Sequence, residues 1–273
     1  MDALPCLLDW LRPQLGARPF MRPFILGLAG AQGSGKSTLA AGVARALAAD
    51  GRAAAAVSLD DYYLPRRDRL ALAARIHPLL ATRGPPGSHD VPLLMQALCQ
   101  VRAGQTVALP RFDKLADDRL APQHWHPPAR IDVLVLEGWC VGARAQPTAL
   151  LRASLNALEA DEDPAAIWRT HANQALAGAY QRLWNRLDAL AFLAAPDWET
   201  VPRWRAEQEA GLTRAAGRTG MDTAAIARFC DHYERLTRWQ LATTPQIAGL
   251  TLHLDAARQV AHARPAPTGR ARP

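Results

Sequence analysis

Residues 30–37, Gly-Ala-Gln-Gly-Ser-Gly-Lys-Ser, match the spacing GxxxxGK[ST] at every fixed position. Each residue type in that spacing has a physical task. Glycines let the backbone turn so that successive amides point at phosphate oxygens, and a helix starting there adds its partial positive charge. The Lys36 ammonium suits the β- and γ-phosphates of a nucleoside triphosphate, and the Ser37 hydroxyl suits Mg2+. Gly30, Gly33, Ser34, Gly35, Lys36, Ser37 and Thr38 are the expected nucleotide contacts.

A phosphate donor raises the question of its acceptor. Asp60 and Asp61 close an apolar run in Val-Ser-Leu-Asp-Asp-Tyr-Tyr. Transfer to an alcohol gains from a carboxylate that orients the hydroxyl and takes its proton, a role expected of Asp60. Asp61 reads equally well as the cap of the next turn. Glu137 ends the run 133–136 just before Gly138, a Walker-B type of position, and would meet Mg2+ and its water shell or a substrate hydroxyl. Arg111 and Lys114 stand three residues apart, as an acidic acceptor would require or as a solvated loop allows. His89 is either a pocket donor or loop filling, while Asp90 is placed to cap a helix starting at 91. Arg203, Arg205, Arg214 and Arg218 fall on a late helical stretch. One arginine closing over a γ-phosphate contributes roughly 10³–10⁵ in rate, although most helical arginines are solvated.

Only two of the 32 basic residues are lysine, Lys36 and Lys114, which singles both out in a chain that otherwise writes arginine for either cation. Neither lysine follows an asparagine, so the guanine-reading Asn-Lys-x-Asp is absent and the small switch GTPases are excluded. The net charge of +7 owes much to Arg258, Arg264, Arg270 and Arg272 near the end of the chain. The remainder is mildly basic, and neither motor motifs nor a basic groove speaks for a nucleic-acid partner. Four separated cysteines with no CxxC pair indicate neither zinc nor a disulfide framework and fit the cytoplasm. No apolar run approaches a membrane span.

The chemistry needs a strand, loop, helix frame. Strands are expected over 24–29, 53–59, 131–136, 187–195 and 250–254. Helices are expected over 36–49, 91–102, 148–159, 164–186, 197–216 and 222–239, with a short helical piece at 71–76 in an otherwise loose segment 62–89. The first two strands should be parallel and buried, joined by a right-handed crossover. The reading is of an α/β fold, a P-loop NTPase-type parallel sheet flanked by helices with a helical lid. It divides the chain into an N-terminal helical extension (1–20), a kinase domain (21–257, lid about 197–220) and a disordered basic tail (258–273).

Taken together, GxxGSGKST, SLDDYY, RGxPGSHD, PRFDK followed by DDR, VLEGW and RWRxEQE resemble the D-glycerate 3-kinase family over about residues 20–257. That family is related to uridine kinase, phosphoribulokinase and bacterial pantothenate kinase. The resemblance implies that Asp60 is the catalytic base, with Asp61, Tyr62, His89 and Asp90 near the acceptor. It implies that Arg111, Lys114 and Arg119 meet the acceptor carboxylate, and that Arg203 and Arg205 belong to the lid. Pro85 stands where plant-type members have asparagine, and the loop after Lys114 is shorter than theirs. The implied reaction is transfer from ATP, with Mg2+, to a small acid, D-glycerate. The alternatives are another acceptor on the same fold (a nucleoside, pantothenate or another hydroxy acid) and a P-loop ATPase acting on a macromolecule.

Overall fold

All seven residues of strand β1, Phe24–Gly30, are buried, so both of its faces must be covered, and the architecture follows from what covers them. The computed structural model describes residues 1–16, 22–216 and 222–266, without the side chains of 212–216. In chain order the elements are α1 (Ala3–Gly16), β1, α2 (Lys36–Ala49), β2 (Ala54–Ser58), α3 (Arg66–Arg75), α4 (Val91–Arg102), β3 (Val107–Leu109), β4 (Phe112–Asp113), β5 (Asp118–Arg119), β6 (His126–Ala129), β7 (Val133–Gly138), α5 (Ala157–Glu162), α6 (Ile167–Ala175), α7 (Gln181–Trp184), β8 (Ala189–Ala194), α8 (Thr200–Ala216), α9 (Thr223–Thr243), β9 (Leu250–Leu254) and β10 (Val260–Pro265).

Six strands form the main sheet in the order β10-β9-β8-β1-β7-β2, with every pairing parallel except β9 with β10. Alternation along β1 sends Phe24, Leu26 and Leu28 to one core, shared with α1 and α2, and Ile25 and Ala29 to the other, shared with Leu136, Tyr180 and Phe192. The α/β class with a parallel sheet between helices is thus observed. β1 has its carboxyl end between those of β7 and β8, the usual place for a ligand crevice in such a sheet. No helix among the described residues is long and apolar enough to cross a membrane.

Several elements differ from the sequence expectation. β2 is parallel to β1, but β7 lies between them, and β2 is an edge strand whose Ala54–Ala56 stay partly exposed. The helix expected over 148–159 is a 3-10 turn, Thr148–Leu151, followed by α5, which starts late because the Asn156 side chain accepts from the Glu159 amide. α6 starts at Ile167 rather than 164, since the Asp163 carboxylate accepts from the Trp168 and Arg169 amides at 2.9 and 3.2 Å. The helix at the amino end is built into the core, with Leu7, Leu8, Leu11 and Leu15 buried against the P-loop side of the sheet. Of the lid expected at about 197–220, residues 217–220, Arg218 among them, lie outside the described residues.

The expectation of a disordered tail from 258 is corrected by β10. Its strand pairing uses backbone groups that an Ala, Arg and Pro composition does not reveal, and Val260 exchanges two backbone hydrogen bonds with Met1. In the turn before it, Arg258 has φ +65°. Its Nε donates to the Gly33 carbonyl at 2.6 Å, its Nη2 pairs with Glu207 of α8 at 2.6 Å, and its guanidinium lies over the Trp204 ring. Residues 267–273 of the expected tail lie outside the described residues.

Candidate active site

The loop between β1 and α2 turns through two left-handed glycines, Gly33 at φ +73° and Gly35 at φ +86°. A Cβ on Gly33 would come within 2.7 to 2.9 Å of the Cβ, C and O atoms of Trp204, so only glycine fits beneath α8. A Cβ on Gly30 would lie 2.8 Å from the Ser34 hydroxyl. The Lys36 ammonium makes only a long contact, 3.5 Å, with the Ala31 carbonyl. Two cavities flank this loop. One of about 160 Å³ is lined by Gln32, Gly33, Lys36 and Ser37 together with Asp60, Tyr63, Arg83, Lys114, Glu137, Arg205 and Gln208. The other, about 500 Å³, is walled by Ser34, Gly35, Thr38 and Arg45 with the start of α1 and the β9–β10 turn. The loop therefore lies between two cavities, a polar one toward Asp60 and a wider one toward α1.

The Ser37 hydroxyl donates to Glu137 Oε1 at 2.8 Å. Glu137 is 4% exposed, and its Oε2 is buried without a partner among the described residues. An orphaned carboxylate oxygen beside a hydroxyl at the phosphate end of a helix is a hard oxygen donor set suited to Mg2+, which takes few protein ligands and completes its shell with phosphates and water. The residues present fit that ion. Of the two roles open for Glu137, this geometry favours the metal.

Asp60 and its neighbours sit on a single 3-10 turn, Leu59–Tyr62, started by the Ser58 hydroxyl, which accepts from the Asp60 amide. Side chains three apart eclipse in such a turn. Leu59 and Tyr62 consequently share the buried face, both 0% exposed, while Asp60 and Tyr63 share the face toward the cavity. The Tyr63 hydroxyl donates to Asp60 Oδ1 at 2.7 Å, and the Lys114 ammonium donates to Oδ2 at 2.7 Å. Burial acts to raise the Asp60 carboxyl, but the charge and hydrogen bond of Lys114, with Lys36 and Tyr63, outweigh it and hold the group well below the usual carboxylate range.

No protein-family profile matches the chain. Relatives do. A kinase of Schizosaccharomyces pombe, the uncharacterized kinase mug58, is 33% identical over 227 residues, 79% of this chain and 80% of that one. The chloroplastic D-glycerate 3-kinase of Arabidopsis thaliana is 28% identical over 223 residues, 77% of this chain and 46% of that protein, so the match spans less than half of the plant enzyme. Among solved structures, D-glycerate 3-kinase from Cryptococcus neoformans var. grubii superposes with a TM-score of 0.77 at 26% identity, covering 95% of this chain and 96% of that one. The chain belongs to the P-loop kinase family that includes the D-glycerate 3-kinases.

Around the Asp60 carboxylate, the kinase distributes the expected acceptor residues unevenly. Lys114 lies in the cavity, but Arg111 is exposed and does not line it. Asp61 is turned away, its carboxylate accepting from the Phe112 amide of β4 at 3.1 Å, a brace on the hairpin rather than the cap of the next turn. Tyr62 is corrected to a core residue by the 3-10 geometry. Asp90 caps α4 through the Leu93 amide, and its other oxygen takes Arg119 Nη1 at 2.8 Å, so these two residues brace the β4–β5 hairpin against α4. His89 is 5% exposed and stacks on Tyr63 with ring centroids 4.6 Å apart. The Tyr180 hydroxyl accepts from the Gly87 amide and shares a 2.6 Å hydrogen bond with His89 Nδ1. Burial lowers the imidazole to about 4, which leaves it neutral.

Two residues that the sequence reading passed over complete the site. Tyr63 holds the base, and Arg83 lines the cavity while pairing with Asp117 and donating from Nη2 to the Lys114 carbonyl at 3.3 Å. Asp117, at φ +55°, also takes the fully buried Arg69 at 2.8 Å. Arg83 lies in a Gly- and Pro-rich stretch that reads as plain loop, so only its place at the head of RGxPGSHD pointed toward it. On α8, Arg205 lines the cavity, pairs with Glu209 at 2.6 Å and covers the Phe229 ring, whereas Arg203 turns back to the Thr200 hydroxyl and does not line it. A further cavity of about 40 Å³ behind Trp139 is lined by Glu159, Arg169 and Arg235, whose charges are already matched in buried pairs.

Proposed function

We propose that this protein is an ATP-dependent kinase that phosphorylates a hydroxyl of a small hydroxy acid, D-glycerate to 3-phosphoglycerate, in the cytoplasm. The observation that carries the reading is the charge of the cavity. Four cations, Lys36, Arg83, Lys114 and Arg205, face two carboxylates, Asp60 and Glu137. Lys36 and Arg205 suit a triphosphate. Lys114, paired with Asp60, and Arg83, paired with Asp117, line the same cavity, and an acidic acceptor would offer both cations a further carboxylate where a neutral one would not. Kinship with D-glycerate 3-kinases supports the same acceptor, and unpaired cysteines, two of them buried, support a reducing compartment.

In this reading the loop amides and Lys36 hold the β- and γ-phosphates, and Ser37 with Glu137 would hold Mg2+. Bound there, the ion would neutralise charge on the phosphate oxygens. Asp60, fixed by Tyr63, orients the acceptor hydroxyl in line and accepts its proton as the bond to phosphorus forms. α8, packed on Gly33 through Trp204, excludes water and presents Arg205 to the transferring group.

Purified protein with ATP, Mg2+ and a panel of D-glycerate, other hydroxy acids, pantothenate and uridine tests the assignment through ADP release. Glycerate-dependent release is expected, with Asp60→Asn retaining ATP binding while kcat falls about 10²-fold or more. Release driven by pantothenate or uridine alone would replace the acceptor, and undiminished turnover in Asp60→Asn would remove the base.

A further inference from the structure

The contact between Lys114 and Asp60 places the cation nearest the acceptor on the base itself. An acceptor-binding lysine gains nothing by neutralising the carboxylate that must take the acceptor's proton, so the pair calls for a functional account. The two partners differ in freedom. The Asp60 side chain is 26% exposed and held by Tyr63 on a turn whose Asp60 amide is bonded by Ser58, whereas Lys114 is 62% exposed on a flexible four-carbon stem. The hairpin that carries Lys114 is anchored on both sides. Phe112 is held by Asp61, Asp117 by Arg69 and Arg83, the Asp118 carboxylate by the Arg66 amide, and Arg119 by Asp90. What can move without cost to the fold is the lysine side chain. Arg83 adjoins it, its guanidinium donating to the Lys114 carbonyl while it lines the same cavity.

We propose that Lys114 gates the reaction by charge, its ion pair keeping Asp60 a poor base until the acceptor's own carboxylate draws the ammonium away. This rests on the reading of an acidic acceptor. A carboxylate arriving between Lys114 and Arg83 competes with Asp60 for the ammonium. Once the ammonium has moved, Asp60 keeps its burial, which favours the protonated form, and loses the larger of the two charges that oppose protonation, that of Lys36 remaining. The transfer then balances. The acceptor oxygen bonds to the γ-phosphorus, the bond from that phosphorus to the β–γ bridging oxygen breaks with its electrons left on ADP, and the hydroxyl proton passes to Asp60. Water and neutral alcohols carry no charge to open the gate, so Lys114 sets specificity through kcat as well as through binding and restrains futile ATP hydrolysis.

The test compares wild type, Lys114→Met and Lys114→Arg with D-glycerate, with glycerol as its uncharged counterpart, and without acceptor. For Lys114→Met the proposal expects the glycerate KM to rise, the glycerate-to-glycerol kcat ratio to fall about tenfold or more because glycerol turnover rises, and acceptor-free ATP hydrolysis to increase. The acid limb of kcat/KM should move to higher pH, and Lys114→Arg should restore the low acceptor-free rate. A Lys114→Met enzyme with a raised glycerate KM but an unchanged kcat ratio and unchanged acceptor-free hydrolysis would reduce Lys114 to a binding residue and overturn the gate. If wild type phosphorylates no hydroxy acid, the acidic-acceptor reading fails first. The acceptor-free rates then still report whether the ion pair restrains the base.

Discussion

In the proposed reaction, the donor and acceptor sides of the cavity are built on opposite principles. The phosphates would meet consecutive residues of one loop, whose conformation is set by φ at Gly33 and Gly35 and by the overlying Trp204 backbone. The acceptor would meet side chains brought together from the turn at 59–63, the loop at 83–90 and the β4–β5 hairpin. Those side chains are held by the pairs of Asp60 with Lys114, Asp90 with Arg119, and Asp117 with Arg69 and Arg83. A backbone cradle is indifferent to charge state. A side-chain assembly held by ion pairs responds to titration, so the acceptor half should be the pH-sensitive one.

The largest expected effect tests whether α8 serves the donor half by one arginine only. Arg205→Ala should lower kcat about 10³-fold, and Arg203→Ala should leave it within about threefold, because only Arg205 lines the cavity. Steady-state rates at saturating ATP decide, and the reverse ranking would put the transferring phosphate on the other side of the helix.

Next in size is the response to acid. His89 is held to about 4 by burial, against 6.5 when free. The folded chain keeps it neutral while the unfolded chain gains a proton, so stability present at neutral pH is lost as pH falls from 6.5 to 4. The loss amounts to at most about 3 kcal/mol. Thermal unfolding should show a falling Tm across that window, with acceptor KM rising before ATP affinity changes. His89→Asn should flatten the slope of Tm between pH 7 and 5, and an equal slope in the variant would exonerate the residue.

The smallest contrast lies between neighbours. Tyr63→Phe removes a hydrogen bond to a charged carboxylate, worth about 1.5 kcal/mol, and should cost about tenfold in kcat/KM. Tyr62→Phe deletes a buried hydroxyl without a partner among the described residues and should leave kcat/KM within about twofold and Tm no lower. Equal losses from both would contradict the two-faced turn.

The same division explains what could be read from the sequence. The cradle, its strand and its helix are contiguous, so spacing alone revealed them, and the Glu137 strand end followed from an apolar run stopped by an acid. The acceptor half was legible only as a set of polar residues. Choosing Tyr63 over Tyr62 requires knowing that the turn is 3-10 rather than extended, and recognising Arg83 requires knowing which loop folds against the hairpin. Arg119, Asp90 and Asp61 answer one another or the backbone, which no local spacing discloses. β10 was missed because its pairing rests on backbone groups facing β9 and Met1 rather than on apolar side chains.

The contact between Arg258 and the Gly33 carbonyl joins residues 225 positions apart. A loop whose motif is fully spelled out by residue 37 therefore acquires the Arg258 brace only long after its own residues have been made. The central strand is subject to the same delay, since both of its neighbours, β7 and β8, are synthesised more than 100 residues later. Contacts of such long range are slow to form and leave apolar strand surface uncovered in the meantime. A nascent chain halted before β8 would carry the complete phosphate-binding sequence and still lack the neighbour that buries one side of β1, so competence to hold ATP should appear late and abruptly during biosynthesis.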